Sequence, residues 1–281
     1  VLYATDGLGK STFASKAPSP IFIGAEDGTA QLDVARMPDI NSWTDILESV
    51  DELCDSTHDF KSLVLDTADW AEPMCWDRVC QLGKKENIEA FPYKTGYTAA
   101  LDHWRVLLNK FDRARERGMN IVVLAHSWVK TFKNPEEAGD YDRYELALHH
   151  KAGGMIKQWS DCVLFGNYET FTHKADGGRT KGVSTGARIL HTQRRAAFDA
   201  KNRYELPETL PLDWDAFAEA VAAHQPGDPG MLQARIATML ESVTDDIKIK
   251  VKAALAKVGN DASELARIAN KLSATVNQET T

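Results

Sequence analysis

From Val1 to about His224, short apolar runs alternate with longer stretches whose apolar positions recur at helical spacing. The runs Ile21-Phe22-Ile23, Leu63-Val64-Leu65, Ile121-Val122-Val123-Leu124 and Cys162-Val163-Leu164-Phe165 have no polar alternation. That is the pattern of strands covered on both faces in a parallel sheet. Between them, Trp43 to Leu53 and Asp102 to Arg117 carry apolar residues at helix period. Trp128 to Lys151 is polar, charged and weakly periodic, which predicts a long mobile loop of the kind that often carries function. Asn167–His173 and Ala187–Gln193, joined by the Gly- and Lys-rich stretch Lys174–Gly186, predict a hairpin. Gln225-Pro226-Gly227-Asp228-Pro229-Gly230 has the composition of a linker. Beyond it, Met231–Val243, Asp245–Val258 and Ala262–Val276 predict three amphipathic helices, with a frayed end from Asn277. The expectation is an α/β core over residues 1–224 with a mainly parallel central sheet, a linker at 225–230 and a small helical C-terminal module at 231–281.

Composition narrows the class. The chain has 281 residues, 43% hydrophobic and 26% charged, enough to bury a sizeable core. No stretch approaches the ~18 consecutive apolar residues of a membrane span, and no charged-then-apolar leader opens the chain, so a cytoplasmic protein is expected. Cys54, Cys75, Cys80 and Cys162 show neither CxxC pairing nor metal-ligand spacing, and fit reduced thiols. A net charge of −8 argues against a protein coated in positive charge for duplex DNA and leaves room for a local basic patch. Val1-Leu2-Tyr3 lacks an initiator Met and runs directly into a glycine-rich loop, so the first strand is expected to begin upstream.

That loop, Ala4-Thr5-Asp6-Gly7-Leu8-Gly9-Lys10-Ser11-Thr12, carries the strongest chemical signal. Small residues let backbone N–H groups wrap phosphate oxygens, a lysine reaches the β- and γ-phosphates, and a hydroxyl ligates Mg²⁺. Thr5 to Thr12 are the candidate nucleotide-binding residues. Ala4 stands where the usual pattern has its first glycine. A nucleotide loop of this kind needs an acid ending a neighbouring strand, and Ser62-Leu63-Val64-Leu65-Asp66-Thr67 supplies Asp66 for the metal's water shell; its alternative role is a helix cap. Thr67 follows where many such proteins have a second acid. The candidate for orienting the attacking water is therefore Glu26, after Ile21-Phe22-Ile23, with a solvated turn as the plain alternative. His126, ending the run from Ile121, is a further polar group at the same sheet edge: a γ-phosphate sensor or a structural histidine.

These segments resemble the RecA-like ATPases, and most closely the phage RecA-like single-strand annealing proteins (Sak-type recombinases). Ala200-Lys201-Asn202-Arg203-Tyr204 is similar to the Lys-Asn-Arg motif of that group, and the resemblance covers most of residues 1–215. It implies that Lys10 and Ser11 hold phosphate and Mg²⁺, Asp66 the metal's water shell, and Glu26 the water. It further implies that His126 acts as a switch before a DNA-binding loop. Lys201 and Arg203 would reach into the neighbouring subunit's ATP, in a homo-oligomeric ring or filament.

For single-stranded DNA, cations interleaved with aromatics are the expected pattern. Trp128, Lys130, Phe132, Lys133, Tyr141, Arg143 and Tyr144 supply it, opposed by Glu136, Glu137, Asp140, Asp142 and Glu145. Lys174, Arg179, Lys181, Arg188, Arg194 and Arg195 form a cleaner cationic set around the predicted hairpin. Trp70, Trp76, Trp104 and Trp159 fit core or subunit contacts. The functional expectation is an ATP-dependent single-stranded DNA-binding recombinase or annealing protein that hydrolyses ATP between subunits. Its rivals are a nucleotide-dependent module recruiting replication or single-strand-binding proteins through its tail, and a nucleic-acid motor or loader.

Overall fold

A computed structural model of the chain describes residues 1–24, 31–133, 139–174, 180–224, 229–240 and 243–279. Glu26, Glu136, Glu137 and Arg179 lie outside the described residues. Among the described residues ten strands form one sheet. Its parallel middle contains β1 (Leu2–Ala4), β2 (Pro20–Gly24), β3 (Ala35–Arg36), β4 (Ser62–Asp66), β5 (Asn120–Lys133) and β7 (Cys162–Lys174), in the order β7-β1-β5-β4-β2-β3. The apolar runs fall on these strands. β6 (Asp140–Leu146), β8 (Thr180–His191), β9 (Lys201–Asn202) and β10 (Thr209–Pro211) add antiparallel pairs.

Helices α2 (Trp43–Asp55), α3 (Ala68–Gly83), α4 (Thr95–Glu116) and α5 (His150–Trp159) contribute buried faces to a cluster that also holds sheet residues such as Tyr3, Ile23, Leu65 and Val123. α2 starts where Ser42 accepts a hydrogen bond from the Asp45 amide at 3.2 Å, an N-cap that satisfies one of the helix's orphan donors. Trp43 of α2 meets Trp104 of α4 edge-on, ring centroids 5.0 Å apart, both 1% exposed. Backbone contacts divide the described chain into two compact units, Val1–Arg203 with Pro207–Phe217, and Tyr204–Leu206 with Ala218–Thr281. In the second, α7 (Pro229–Leu240), α8 (Asp245–Val258) and α9 (Ala262–Glu279) gather Leu232, Ile236, Leu265, Ala269 and Leu272 into their own apolar cluster. The preceding helix α6 (Trp214–His224) has no counterpart in the sequence reading.

Of the loop expected at Trp128–Lys151, residues 134–138 lie outside the described residues, and most of the rest is regular structure. β5 continues to Lys133 and turns back as β6 in register, Ser127 opposite Leu146 and Lys133 opposite Asp140, before α5 begins at His150. Beyond His126 the strand pairs with β6, and its residues to Lys133 are exposed or half-buried, while β6 buries the charged Arg143. The pair therefore lacks the apolar alternation that marks a half-buried strand. The predicted hairpin is present as β7–β8. All four cysteines are free and buried, and burial pushes their thiols up, Cys162 to about 11. Among the described residues no helix is long and apolar enough to cross a membrane.

Removing a buried indole leaves a cavity the packed helices cannot refill. Trp104→Ala is expected to lower the unfolding free energy by about 3–5 kcal/mol. Trp128→Ala, at a side chain 45% exposed, should change it by about 0.5 kcal/mol or less. Urea unfolding of both variants checks the contrast.

Candidate functional site

β1 ends at Ala4, which lies between His126 of β5 and Gly166 of β7 in the parallel register. Gly24 of β2 is in register with Asp66 of β4. The carboxyl ends of β1, β2 and β4 therefore share one edge, with His126 of β5 and Gly166 of β7 beside Ala4, where open α/β sheets bind ligands. Ala4 is buried with strand geometry, so its backbone does not need the freedom of glycine. The loop after it does: Gly7 has φ +69 and Gly9 φ +105, the left-handed region that L side chains avoid. Leu8 turns inward and is fully buried; a Cβ on Gly166 would stand 2.7 Å from its Cδ2. Gly166 is thus the floor on which the loop's one apolar side chain rests. Above Gly7, no atom of the described residues beyond its chain neighbours lies within 4 Å of where a Cβ would be. Lys10 is 6% exposed, with Nζ donating to the Thr5 carbonyl at 3.4 Å, so its charge is folded across the loop's own concavity. Lys10, Ser11 and Thr12 open α1 (Lys10–Ala14), and Ser11 is half-buried beside the lysine.

Asp66 is 2% exposed at the end of β4. The next residue, Thr67, is 1% exposed, and its Oγ1 has no hydrogen-bond partner among the described residues. Among the described residues no group of three His, Cys, Asp or Glu side chains is arranged to hold a metal ion. Mg²⁺ keeps most of its waters and binds through one or two protein groups plus substrate phosphates. The loop's open concavity, its buried lysine, Ser11 and the buried Asp66 fit a nucleoside triphosphate with such an ion.

His126 is held on both sides. Asp69, in the first turn of α3, accepts from the His126 amide at 2.8 Å through Oδ1 and pairs with ring Nδ1 at 2.8 Å through Oδ2. Nε2 lies 3.4 Å from Asp6 Oδ1 in the phosphate loop. Burial alone would raise the Asp69 carboxyl, but the two His126 bonds outweigh it and hold it below the ordinary carboxylate range. One turn along, Glu72 is 4% exposed, and its oxygens accept from the His149 amide at 2.9 and 3.2 Å. Burial, reinforced by the nearby Asp69 charge, pushes Glu72 up to about 7. His149 in turn stacks on Tyr97, ring centroids 4.5 Å apart and planes 3° from parallel. The two carboxylates of α3 therefore grip both roots of the β5–β6 hairpin, His126 on one side and His149 just past β6 on the other. Neither Asp69 nor Glu72 was singled out by the sequence. Their spacing after Asp66, three residues and then three more, is the signal that places them on one helical face.

Lys201 and Arg203 are elsewhere. β9 pairs with β7 at Cys162 and Val163, the amino-terminal end of β7 and the edge opposite the phosphate loop. Lys201 Nζ donates to the carbonyls of Lys157, Gln158 and Ser160 at 3.0, 2.8 and 2.6 Å, capping the C-terminus of α5. Arg203, 56% exposed, pairs with Asp161 at 3.0 Å. Within one chain neither joins the nucleotide site.

Of the residues assigned to nucleic acid, Trp128, Lys130 and Lys133 are exposed on the β5 arm. On the β7–β8 hairpin Lys181 is in register with His173, and Lys174 with Thr180. Arg143 is not a surface cation: it is 3% exposed, lies 3.2 Å from Asp199, and sits over the Phe132 ring. Tucked between a carboxylate and an aromatic, it ties the hairpin to the core. Trp70 is 53% exposed, whereas Trp104 is core.

The family model for the AAA domain matches residues 1–204. No curated protein matches the chain.

The raised Glu72 sets a pH dependence with a definite sign. A carboxyl whose folded value lies above its unfolded one binds a proton more tightly in the fold. Its contribution to stability is complete below about 4.5 and is lost as pH rises through about 7. Asp69 stays ionised across that window, and His149, held below 6.5 by burial, adds an opposite slope common to wild type and variant. Glu72→Gln keeps an acceptor for the His149 amide and removes the ionisation. Relative to the variant, the wild type should lose stability between about pH 5 and about pH 8. Urea unfolding at both pH values checks it; parallel slopes would remove the buried-carboxylate assignment.

Proposed function

The chain belongs to the AAA domain family of P-loop ATPases, and from that membership we propose that it is an ATP-dependent single-stranded DNA-binding protein of the recombinase or annealing kind, hydrolysing ATP between subunits. The observation that carries this reading is the placement of two hairpins. β5–β6 and β7–β8 both continue past the ends of their parallel neighbours at the edge that holds the phosphate loop. Each presents an exposed aromatic, Trp128 at 45% and Tyr168 at 40%. Exposed aromatics with flanking cations such as Lys130 and Lys133 suit the stacking of unpaired bases.

In this reading the loop amides and Lys10 bind the β- and γ-phosphates, with the buried lysine neutralising charge that builds as the terminal phosphoryl leaves. Mg²⁺, held through Ser11 and the water shell of Asp66, supplies further charge neutralisation when bound. Glu26 is assigned the orientation of the attacking water. His126, bonded to both the loop's Asp6 and α3's Asp69, reports the state of the terminal phosphate to the root of β5. Arg203 is assigned to a neighbouring subunit's ATP in a ring or filament. Its position at the edge opposite its own loop suits action in trans, and an exposed ion pair with Asp161 is worth about 1 kcal/mol or less and is readily exchanged. Lys201 is assigned to the same interface, and its hold on α5 fixes the short strand that immediately precedes Arg203. The second unit is assigned to recruitment of replication or single-strand-binding proteins.

The test is ATP turnover with and without an oligonucleotide of deoxythymidine. Wild type should be stimulated by it. Lys10→Ala should lose turnover by about a hundredfold or more, and Arg203→Ala should lose about a thousandfold while still binding nucleotide. Slow turnover indifferent to the oligonucleotide would transfer the assignment to a nucleotide-dependent recruitment module. Normal turnover in Arg203→Ala would remove the shared site.

A further inference from the structure

We infer that Arg188 is a nucleotide-positioning residue acting within its own chain, and that it joins the phosphate loop to the β7–β8 hairpin. Through it, nucleoside triphosphate affinity and occupancy of the hairpin are linked. The loop arm of this inference rests on the phosphate loop binding nucleotide; the hairpin arm rests on the proposed single-strand function.

Arg188 follows an irregularity in the hairpin. Tyr168 of β7 lies opposite Arg188 of β8, yet Thr170, two residues on, lies opposite Ser184, four residues back. The surplus falls on Thr185-Gly186-Ala187 of β8. Gly186 has φ +78, a conformation glycine adopts without strain. Thr185 Oγ1 fastens the bulge, donating to Glu169 Oε2 at 2.9 Å and accepting from the Ala187 amide at 3.3 Å. A bulge of this kind bends the strand and re-aims the next side chain. Here the next side chain is Arg188.

Its guanidinium ends on the phosphate loop. Nη1 donates to the Leu8 carbonyl at 3.1 Å and occupies the space that a side chain on Gly9 would need, 2.7 Å from a Cβ built there. Gly9 is required for its positive φ, and its missing side chain leaves the space the arginine enters. The backbone of Arg188 is anchored as well: its carbonyl accepts from the Leu212 amide at 2.9 Å, and a Leu212 methyl lies 4.0 Å from the same Gly9 position. Leu8 is thus held from beneath by Gly166 of β7 and through its carbonyl by Arg188 of β8, the two strands that continue as the hairpin.

Two consequences follow from the chemistry. A guanidinium has five N–H donors, and the described bond to Leu8 uses one. The group brings a permanent positive charge to a loop whose other charged side chains are Asp6 and Lys10. The loop's shape, which sets how well its amides meet phosphate oxygens, also depends on where β8 sits. A strand bound along the hairpin and a triphosphate bound in the loop then act on one shared element, and such coupling is reciprocal.

The experiment uses the full chain. ATP affinity is measured calorimetrically, and kcat and KM by phosphate release, for wild type, Arg188→Ala, Arg188→Lys and Lys10→Ala, each with and without an oligonucleotide of deoxythymidine. Thermal unfolding confirms the fold of each variant. Arg188→Ala is expected to raise the Kd and KM for ATP about tenfold, the size of one charge-assisted hydrogen bond. Its kcat at saturation should stay within about twofold of wild type, since a group that holds substrate and transition state equally raises KM and leaves kcat unchanged when it is lost. Arg188→Lys should recover part of the affinity, and should carry the test if the alanine variant unfolds. In wild type the oligonucleotide should tighten ATP binding; in Arg188→Ala that tightening should vanish. An unchanged KM in both Arg188 variants, with Lys10→Ala impaired, overturns the inference. A wild type that binds ATP but not the oligonucleotide overturns the single-strand reading and the linkage, while the KM comparison still decides the positioning role.

Discussion

A backbone loop that presents its amides to a polyphosphate cannot use those amides to hold its own shape. The hold must come from other groups, and in this protein it comes from three directions. Leu8 is sunk onto Gly166, where any side chain would lift it. Lys10 is folded over the loop against the Thr5 carbonyl. Arg188 closes on the Leu8 carbonyl from β8. Each anchor sits on a different element, so the order of strands in the sheet is what makes the loop possible. β1 has to lie between β5 and β7 for Ala4 to be flanked by His126 and Gly166.

The same edge is organised a second time by α3. Its first turns carry Asp69 and Glu72, two buried carboxylates with opposite electrostatic fates. Asp69 is kept ionised by a histidine that faces it with two donors, whereas Glu72 sees a single amide and the neighbouring charge of Asp69, and holds its proton to about 7. Both bonds end on the chain segments that enter and leave the β5–β6 hairpin. The helix that follows Asp66 is therefore in direct contact with both hairpin roots, and a rigid element of that kind is a physical route for coupling.

Much of this was legible in the sequence, and what was not has specific causes. The four apolar runs gave the parallel strands because both faces of each are covered. The phosphate loop and Asp66 were legible because glycines, lysine and a strand-ending acid are residue types with few substitutes. The β5–β6 arm reads as a loop because most of its positions are polar and the buried ones include the charged Arg143, so its composition imitates disorder. Arg143 was counted as a surface cation for the same reason; only the fold shows Asp199 and Phe132 closing over it. Asp69 and Glu72 resemble ordinary acids in a helix's first turns, and their partners, His126 and His149, are more than fifty residues away in sequence. Arg188 is grouped with its neighbours by charge in the sequence, and only the fold shows the one-sided bulge just before it and its bond to the Leu8 carbonyl.

The four buried cysteines have a use beyond packing. Each thiol is held protonated by burial and shielded from solvent, so in the folded chain none is a competent nucleophile at neutral pH. Alkylation of the native protein must then await an opening that exposes α2, α3 or the first residues of β7, where these cysteines lie. Their labelling rates, followed one peptide at a time by mass, become a set of internal clocks for the breathing of separate parts of the sheet and its covering helices. A cysteine introduced at an exposed position of the β5 arm, such as Lys130, would label sooner, and a dye placed there would report on that arm alone.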